Sequence, residues 1–161
     1  MNRLLTGTVV LAIVAGFLVW WFHPNQILKR RTKGLMATLT LAEGAGAASR
    51  NLKIHPLSRA IADEVRISGA GDRRAEGTFS RGQIESGFSW LTRNASHTRF
   101  QLRRVESVTI QGSQGVVRAI VDAEVELKQH PSPLQGRQSV TLTWNNVESS
   151  WQLIAAEWNP Q

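Results

Sequence analysis

The chain has 161 residues, a formal charge of +7 and no cysteine. The lack of thiols excludes disulfides, thiolate zinc sites and a cysteine nucleophile. Of the 19 basic residues 15 are arginines, but they are scattered, with no aromatic-interleaved RNA motif and no basic recognition helix, so nucleic acid is not an expected partner.

Residues 4–22 (LLTGTVVLAIVAGFLVWWF) run for 19 residues without a charge, roughly 28 Å as a helix, which approaches the hydrocarbon thickness of a bilayer. Arg3 precedes the run, and Trp20 and Trp21 sit at its far end, where amphipathic rings favour the interface. The run is longer than the apolar core of a signal peptide, and no small-residue cleavage site follows. The expectation is an uncleaved single-pass anchor over residues 1–23, touching the bilayer through residues 4–22, and one folded domain over residues 24–161. Lys29, Arg30, Arg31 and Lys33 outnumber Arg3 plus the amino terminus, which by the positive-inside count puts the domain in the cytoplasm. The basic cluster belongs to a domain helix, however, and the leading tail is short, so the domain is expected on the periplasmic side of an inner membrane. Between His23 and Arg66 eight basic residues face three acidic ones. They fit either anionic lipid head groups near Lys29, Arg30, Arg31 and Lys33 or a solvated helix face.

After His23-Pro24-Asn25 a helix is predicted to about Leu41, with Ile27, Leu28, Thr32, Leu35, Met36 and Leu39 on one face. Residues 43–48 read as a flexible loop. A second helix is predicted from near Pro56, its face formed by Leu57, Ala60, Ile61 and Val65. Residues 69–77 form a glycine- and charge-rich connector, and Thr78-Phe79 a short strand. Ser80-Arg81-Gly82-Gln83 fits a capping box that opens a third helix, carrying Ile84, Phe88 and Leu91 on one side and stopping around Asn94.

From Thr98 onward the pattern is β. Phe100 and Leu102 are out of phase with Val105, and Val108 and Ile110 resume alternation, so the first long strand is predicted to be bulged or bent. Gly112-Ser113-Gln114-Gly115 turns into residues 116–128 (VVRAIVDAEVELK). There Val117, Ala119, Val121, Ala123, Val125 and Leu127 alternate with Arg118, Asp122, Glu124 and Glu126, and Ile120 is the one apolar exception on the polar side. After His130-Pro131-Ser132-Pro133, Val140, Leu142 and Trp144 alternate, and Asn145-Asn146 turns into a last strand from Trp151 to Trp158. The expected class is α+β: an N-terminal transmembrane helix, then three helices packed on a curved antiparallel sheet, a cone-shaped roll.

This order, with helices first and a final hairpin reading TLTWNNVESSWQLIAAEW, resembles the nuclear transport factor 2-like (cystatin-like α+β barrel) superfamily over residues 25–158. The chain looks most like membrane-tethered bacterial members of no established activity, in which an apolar segment runs into an aromatic-Pro step, here Trp21-Phe22-His23-Pro24, and then a basic helix. The resemblance implies a cone of curved sheet wrapped round a long helix, with a pocket in its mouth. It also implies a range of roles: ketosteroid isomerases, polyketide cyclases, dehydratases, and non-enzymatic scaffolds such as the periplasmic part of a type IV secretion inner-membrane protein.

Enzymes of that fold usually place an Asp or His, often with Tyr, inside the cone. This chain has no Tyr. Asp122 on the polar side of the central strand and His97 at a strand start are the candidate acid–base residues, each also explained as a solvated surface group. Phe88, Trp90, Phe100 and Trp144 are the candidate lining of a pocket, with core packing as the plainer reading. Four histidines without an H-x-H or H-E-x-x-H spacing give no metal site, and the glycine pairs lack the context of a phosphate or dinucleotide loop. No cofactor is expected. The leading reading is a non-enzymatic domain at the cell envelope that binds a protein partner, a second copy of itself or a small apolar ligand. The alternatives are an isomerase-, cyclase- or dehydratase-type enzyme and a scaffold subunit of an envelope or secretion complex.

Overall fold

The structure is a computed structural model that describes residues 23–69 and 76–160. Helix α1 (Pro24–Leu39) starts with Pro at its first turn and with His23 as N-cap, whose Nδ1 accepts from the Asn25 amide. Its buried residues Leu28, Thr32, Leu35 and Met36 recur at helical spacing, so one stripe of α1 faces the sheet. The chain then makes a bridge at Leu41, whose amide and carbonyl pair with Thr98. Two short helices follow, α2 (Ala47–Asn51) and α3 (Ile54–Ala60), then strands β1 (Ile61–Ser68) and β2 (Gly77–Ser80). Helix α4 (Arg81–Asn94) opens on the capping box: the Gln83 amide donates to Ser80 Oγ at 3.3 Å, and the Ser80 amide donates to Gln83 Oε1 at 2.8 Å. Four long strands complete the domain, β3 (Ala95–Gln111), β4 (Gln114–Leu127), β5 (His130–Val147) and β6 (Ser150–Pro160). The sheet order is β2-β1-β6-β5-β4-β3.

The architecture is α+β, with several corrections to the sequence reading. The sheet is mixed, because β1 runs parallel to β6 while the other neighbours are antiparallel. Residues 61–68 are a strand, not the second half of a helix. Leu57, Ile61 and Val65 do fall at helical spacing, but Ile61, Val65 and Ile67 are β-branched, and the segment pairs with β6 along one edge and β2 along the other. Residues 47–51, expected in a loop, are helical, which brings the helices among the described residues to four. The expected N-terminal transmembrane helix has no support among the described residues, where no helix is long and apolar enough to cross a membrane. Residues 4–22, on which that expectation rested, lie outside the described residues.

The core lies between α1 and the sheet face that carries Val117, Val121, Val140, Leu142 and Trp144, all at most 1 % exposed. Helix and sheet meet closely over Gly115. A Cβ there would fall 2.3 Å from Leu28 Cδ1 and 3.2 Å from Trp151 Cζ3. Leu28 is itself fully buried and has little room to retreat. Gly115→Ala is therefore expected to cost about 1–3 kcal/mol through overpacking, read as a lowered Tm, with Leu28→Ala in the same chain recovering part of the loss. Of the three register shifts in β3, the two between Leu102 and Arg104 and between Val105 and Ser107 account for the changes of phase, and the third lies at the strand start between Ala95 and His97. The first two insert Arg103 and Glu106 into the strand and increase its bend.

Candidate functional site

Beyond the helices the concave face of the sheet stays partly uncovered. Phe100 on β3 pairs with Ala123 on β4, which pairs with Gly136 on β5. A large side chain is followed by two of the smallest, so the sheet surface dips beside Phe100. On the far side stands Trp158 of β6, which pairs with Val140. Three strand spacings separate β3 from β6, about 14 Å on a flat sheet. The Phe100 and Trp158 rings nevertheless meet edge to face, with centroids 6.1 Å apart and planes at 62°, because the sheet curls towards its helix-covered face. They bound a recess of about 480 Å³ that Ala123, Val125, Gln135, Gly136, Gln138 and Gly69 complete. Gly69 has φ +74° and packs on the Trp158 backbone so closely that a Cβ would lie 1.9 Å from the Trp158 carbonyl oxygen. Only glycine fits this rim position.

The described lining of the recess holds no carboxylate or imidazole; the polar side chain on its face is Gln138, which pairs with Val121, whereas Gln135 pairs with Glu124 of the outer face. Of the candidate lining residues Phe100 is in place. Phe88 and Trp144 are packed in the core at 5 % and 0 % exposure, and Trp90 on α4 is 50 % exposed. Trp158 was missed as lining, because an aromatic that closes a strand pattern reads as core.

Asp122 and His97 lie on the opposite, outer face. Asp122 is bridged by two guanidinium groups, Arg103 Nε at 2.5 Å from Oδ2 and Arg137 Nε at 2.9 Å from Oδ1. The hydrogen bonds from Arg137 and then Arg103 hold its carboxyl below the usual aspartate range, which makes it a weaker base. His97 sits between two carboxylates, Nε2 at 3.2 Å from Glu124 and Nδ1 at 3.3 Å from Glu126. Glu124 also pairs with Arg99. Its carboxyl is held low by the hydrogen bond to His97 first and, against partial burial, by Arg99. These pairs tie β3, β4 and β5 together across the outer face. Among the described residues no group of three His, Cys, Asp or Glu could hold a metal ion.

A pH dependence follows from the two lowered carboxyl groups. Each stays ionised to lower pH in the folded chain than in the unfolded one. Their contribution is thus fully present above the unfolded values, near pH 4, and is lost as pH falls below that towards the folded values. The Tm is expected to hold between neutral pH and about pH 5 and to fall below about pH 4. The double variant Asp122→Asn, Glu124→Gln should show a shallower acid limb. An identical acid limb would mean that the outer-face pairs do not differ from solvated carboxylates.

Basic side chains also serve inside the domain. Arg50 is 6 % exposed, and its guanidinium donates to the carbonyls of Thr92, Ala95, Ala42 and Ser96 at 2.6–3.2 Å, gathering the C-terminal end of α4 and the Ala42 loop. Lys53 Nζ donates to Ala37 O at 2.9 Å and to Thr40 O, at the end of α1. Cations at helix C-termini meet both the free carbonyls and the negative end of the dipole. Lys29, Arg30 and Lys33 are exposed on α1, and Arg31 is partly buried.

Comparison with protein-family models gives no match, and comparison with curated proteins gives none either. Solved structures do match. A candidate scytalone dehydratase from Novosphingobium aromaticivorans superposes with a TM-score of 0.65 at 12% identity, covering 83% of this chain and 81% of that one. A candidate dehydratase of the nuclear transport factor 2-like family from Streptomyces avermitilis gives 0.61 at 14% identity, covering 83% and 93%. A nuclear transport factor 2-like superfamily protein from Salmonella enterica serovar Typhimurium gives 0.62 at 8% identity, covering 84% and 89%. Superposition over more than four-fifths of each chain shows a shared fold: the chain has the nuclear transport factor 2-like fold.

Proposed function

We propose that this chain is a binding domain that takes a small, flat, largely apolar molecule into the recess between Phe100 and Trp158. One observation carries the reading: two aromatic rings, Ala123 and Val125 form an apolar slot whose polar side chain on that face is the Gln138 amide. Such a lining rewards apolar area and offers Gln138 as a neutral hydrogen-bond partner, which orients a ligand without moving a proton. The recess is a property of the small residues Ala123 and Gly136, so filling it separates binding from folding. Titration of the purified chain with the neutral probe N-phenyl-1-naphthylamine is expected to give saturable fluorescence enhancement. Ala123→Phe is expected to remove that enhancement with a native-like melt, whereas Trp90→Ala should leave it in place. Equal enhancement in wild type and Ala123→Phe would place the probe elsewhere and end the reading.

The enzyme reading, a dehydratase or a relative of it, draws on the candidate dehydratases among the structural neighbours. On this chain it needs a proton-transfer group at the recess, and Asp122 and His97 are both engaged on the outer face. Conversion of an added hydroxylated aromatic substrate that Asp122→Asn abolished would favour it over simple binding.

A further inference from the structure

Ile120 is the apolar exception on the polar side of the central strand, and in the structure it is 4 % exposed, apart from the main core cluster. What covers it is cationic. A cleft of about 380 Å³ is lined by Arg103, Arg104, Ile120 and Arg137. Arginine stems lie along apolar surface while their heads stay in water, which accounts for the buried isoleucine. In a regular strand, consecutive residues such as Arg103 and Arg104 point to opposite faces. The bulge between Leu102 and Arg104 suspends that rule: Arg104 pairs with Ile120, and Arg103 reaches Asp122 on the same face.

The hydrogen bonding leaves donors over. Arg103 and Arg137 both meet Asp122 through Nε, and their terminal Nη groups make no hydrogen bond among the described residues. Arg104 uses Nη2 for Glu106 at 2.9 Å and keeps its other donors. Arg118, two residues before Ile120 on the same face, is exposed and makes no ion pair among the described residues. Three guanidinium groups thus share two carboxylates, Asp122 and Glu106, and Arg118 pairs with neither. Asp122 acts as an orienting strut, holding two forks by their inner nitrogens.

We propose that this cleft binds a compact polyvalent oxyanion, the pyrophosphoryl group of a small molecule. Planar guanidinium forks match pairs of phosphate oxygens, several forks at one place favour more than one charge, and the apolar floor of Ile120 lowers the local polarity. The group could arrive as inorganic pyrophosphate or as part of a nucleoside diphosphate, and the two sources are separable. The site is independent of the recess, on the opposite face of the sheet.

The test is calorimetric titration of the full purified chain with inorganic pyrophosphate and, separately, with ADP. Saturable one-to-one binding of pyrophosphate is expected, weakening as salt is raised. Arg104→Ala should weaken it about tenfold or more, and Arg137→Lys, which keeps the charge but loses the fork, should weaken it to a smaller extent. Arg99→Ala lies on the same face outside the cleft and should leave the affinity within about twofold. Tighter binding of ADP would identify an organic phosphate as the source, and equal binding would identify the pyrophosphoryl group alone; both support the site. No saturation at millimolar pyrophosphate, or equal losses in Arg99→Ala and Arg104→Ala, would overturn the proposal in favour of a diffuse cationic surface.

Discussion

Val121→Asp is expected to abolish cooperative melting of the purified chain, whereas Arg118→Ala on the same strand should melt within a degree or two of wild type. Val121 is 0 % exposed in the middle of β4, within the cluster that meets α1. The substitution removes a buried aliphatic contact, about 1–3 kcal/mol, and leaves a carboxylate without a partner, which adds several more. A domain of this size has only about 5–15 kcal/mol of net stability. Arg118 faces solvent, where replacements usually stay within about 0.5 kcal/mol. Similar melting of the two variants would put Val121 on the wrong face of the strand, and the roll built on that face would fall with it.

The second large effect is expected at Arg50. A buried arginine is costly to desolvate, and replacing a whole buried ion pair with apolar groups is often neutral. Arg50 differs because its partners are backbone carbonyls that no substitution removes. Arg50→Met keeps much of the volume but takes the guanidinium donors from the carbonyls of Thr92, Ala95 and Ser96, and from that of Ala42, which keeps the Ala45 amide. With about 1–3 kcal/mol at stake for an unsatisfied buried acceptor, and water able to reach some of the four, a loss of about 3 kcal/mol or more is expected, near 10 °C in Tm. Arg50→Lys should recover part of it, since one ammonium can reach one or two of the carbonyls. A Tm unchanged in Arg50→Met would show that the Ala42 loop and the end of α4 are held by something else.

Arg50 and Lys53 also show where sequence reading stops. Both fall in the basic stretch that reads as a surface for anionic head groups, yet each is spent on the C-terminal end of a helix. Nothing local reveals this, because the acceptors of Arg50 on β3 and α4 lie more than 40 residues away. The elements that were legible are those with local rules. The capping box of α4 is written in four residues. The bulges of β3 appear as two changes of phase, and the outward face of β4 as alternating charge. Strand β1 was not legible: Leu57, Ile61 and Val65 satisfy a helix period, and only the edge of β6, over 80 residues later, makes a strand the better solution.

The lining of a pocket was hard to read for a different reason. Core and cavity walls both call for large apolar side chains, so Phe88, Trp144 and Phe100 look alike in the sequence. A recess exists where side chains are missing, and Ala123 and Gly136 were the signal: small residues at paired positions beside an aromatic. Their pairing depends on the register of β3, β4 and β5, which only the folded sheet supplies. The outer face was read as solvated charge, and its partners, though not its carboxylates, came from neighbouring strands.

The recess between Phe100 and Trp158 is the centre of the functional reading, and methyl resonances report on it directly. Two-dimensional carbon–proton spectra of the isotopically labelled chain, recorded through a titration with N-phenyl-1-naphthylamine, should show the Ala123 and Val125 methyl signals moving together and saturating with one affinity. The methyl signals of Val117 and Ile120, in the core and under the outer arginines, should stay in place. Movement of Ile120 with Ala123 and Val125 unmoved, or no saturable movement at all, would contradict a ligand site inside the curled sheet.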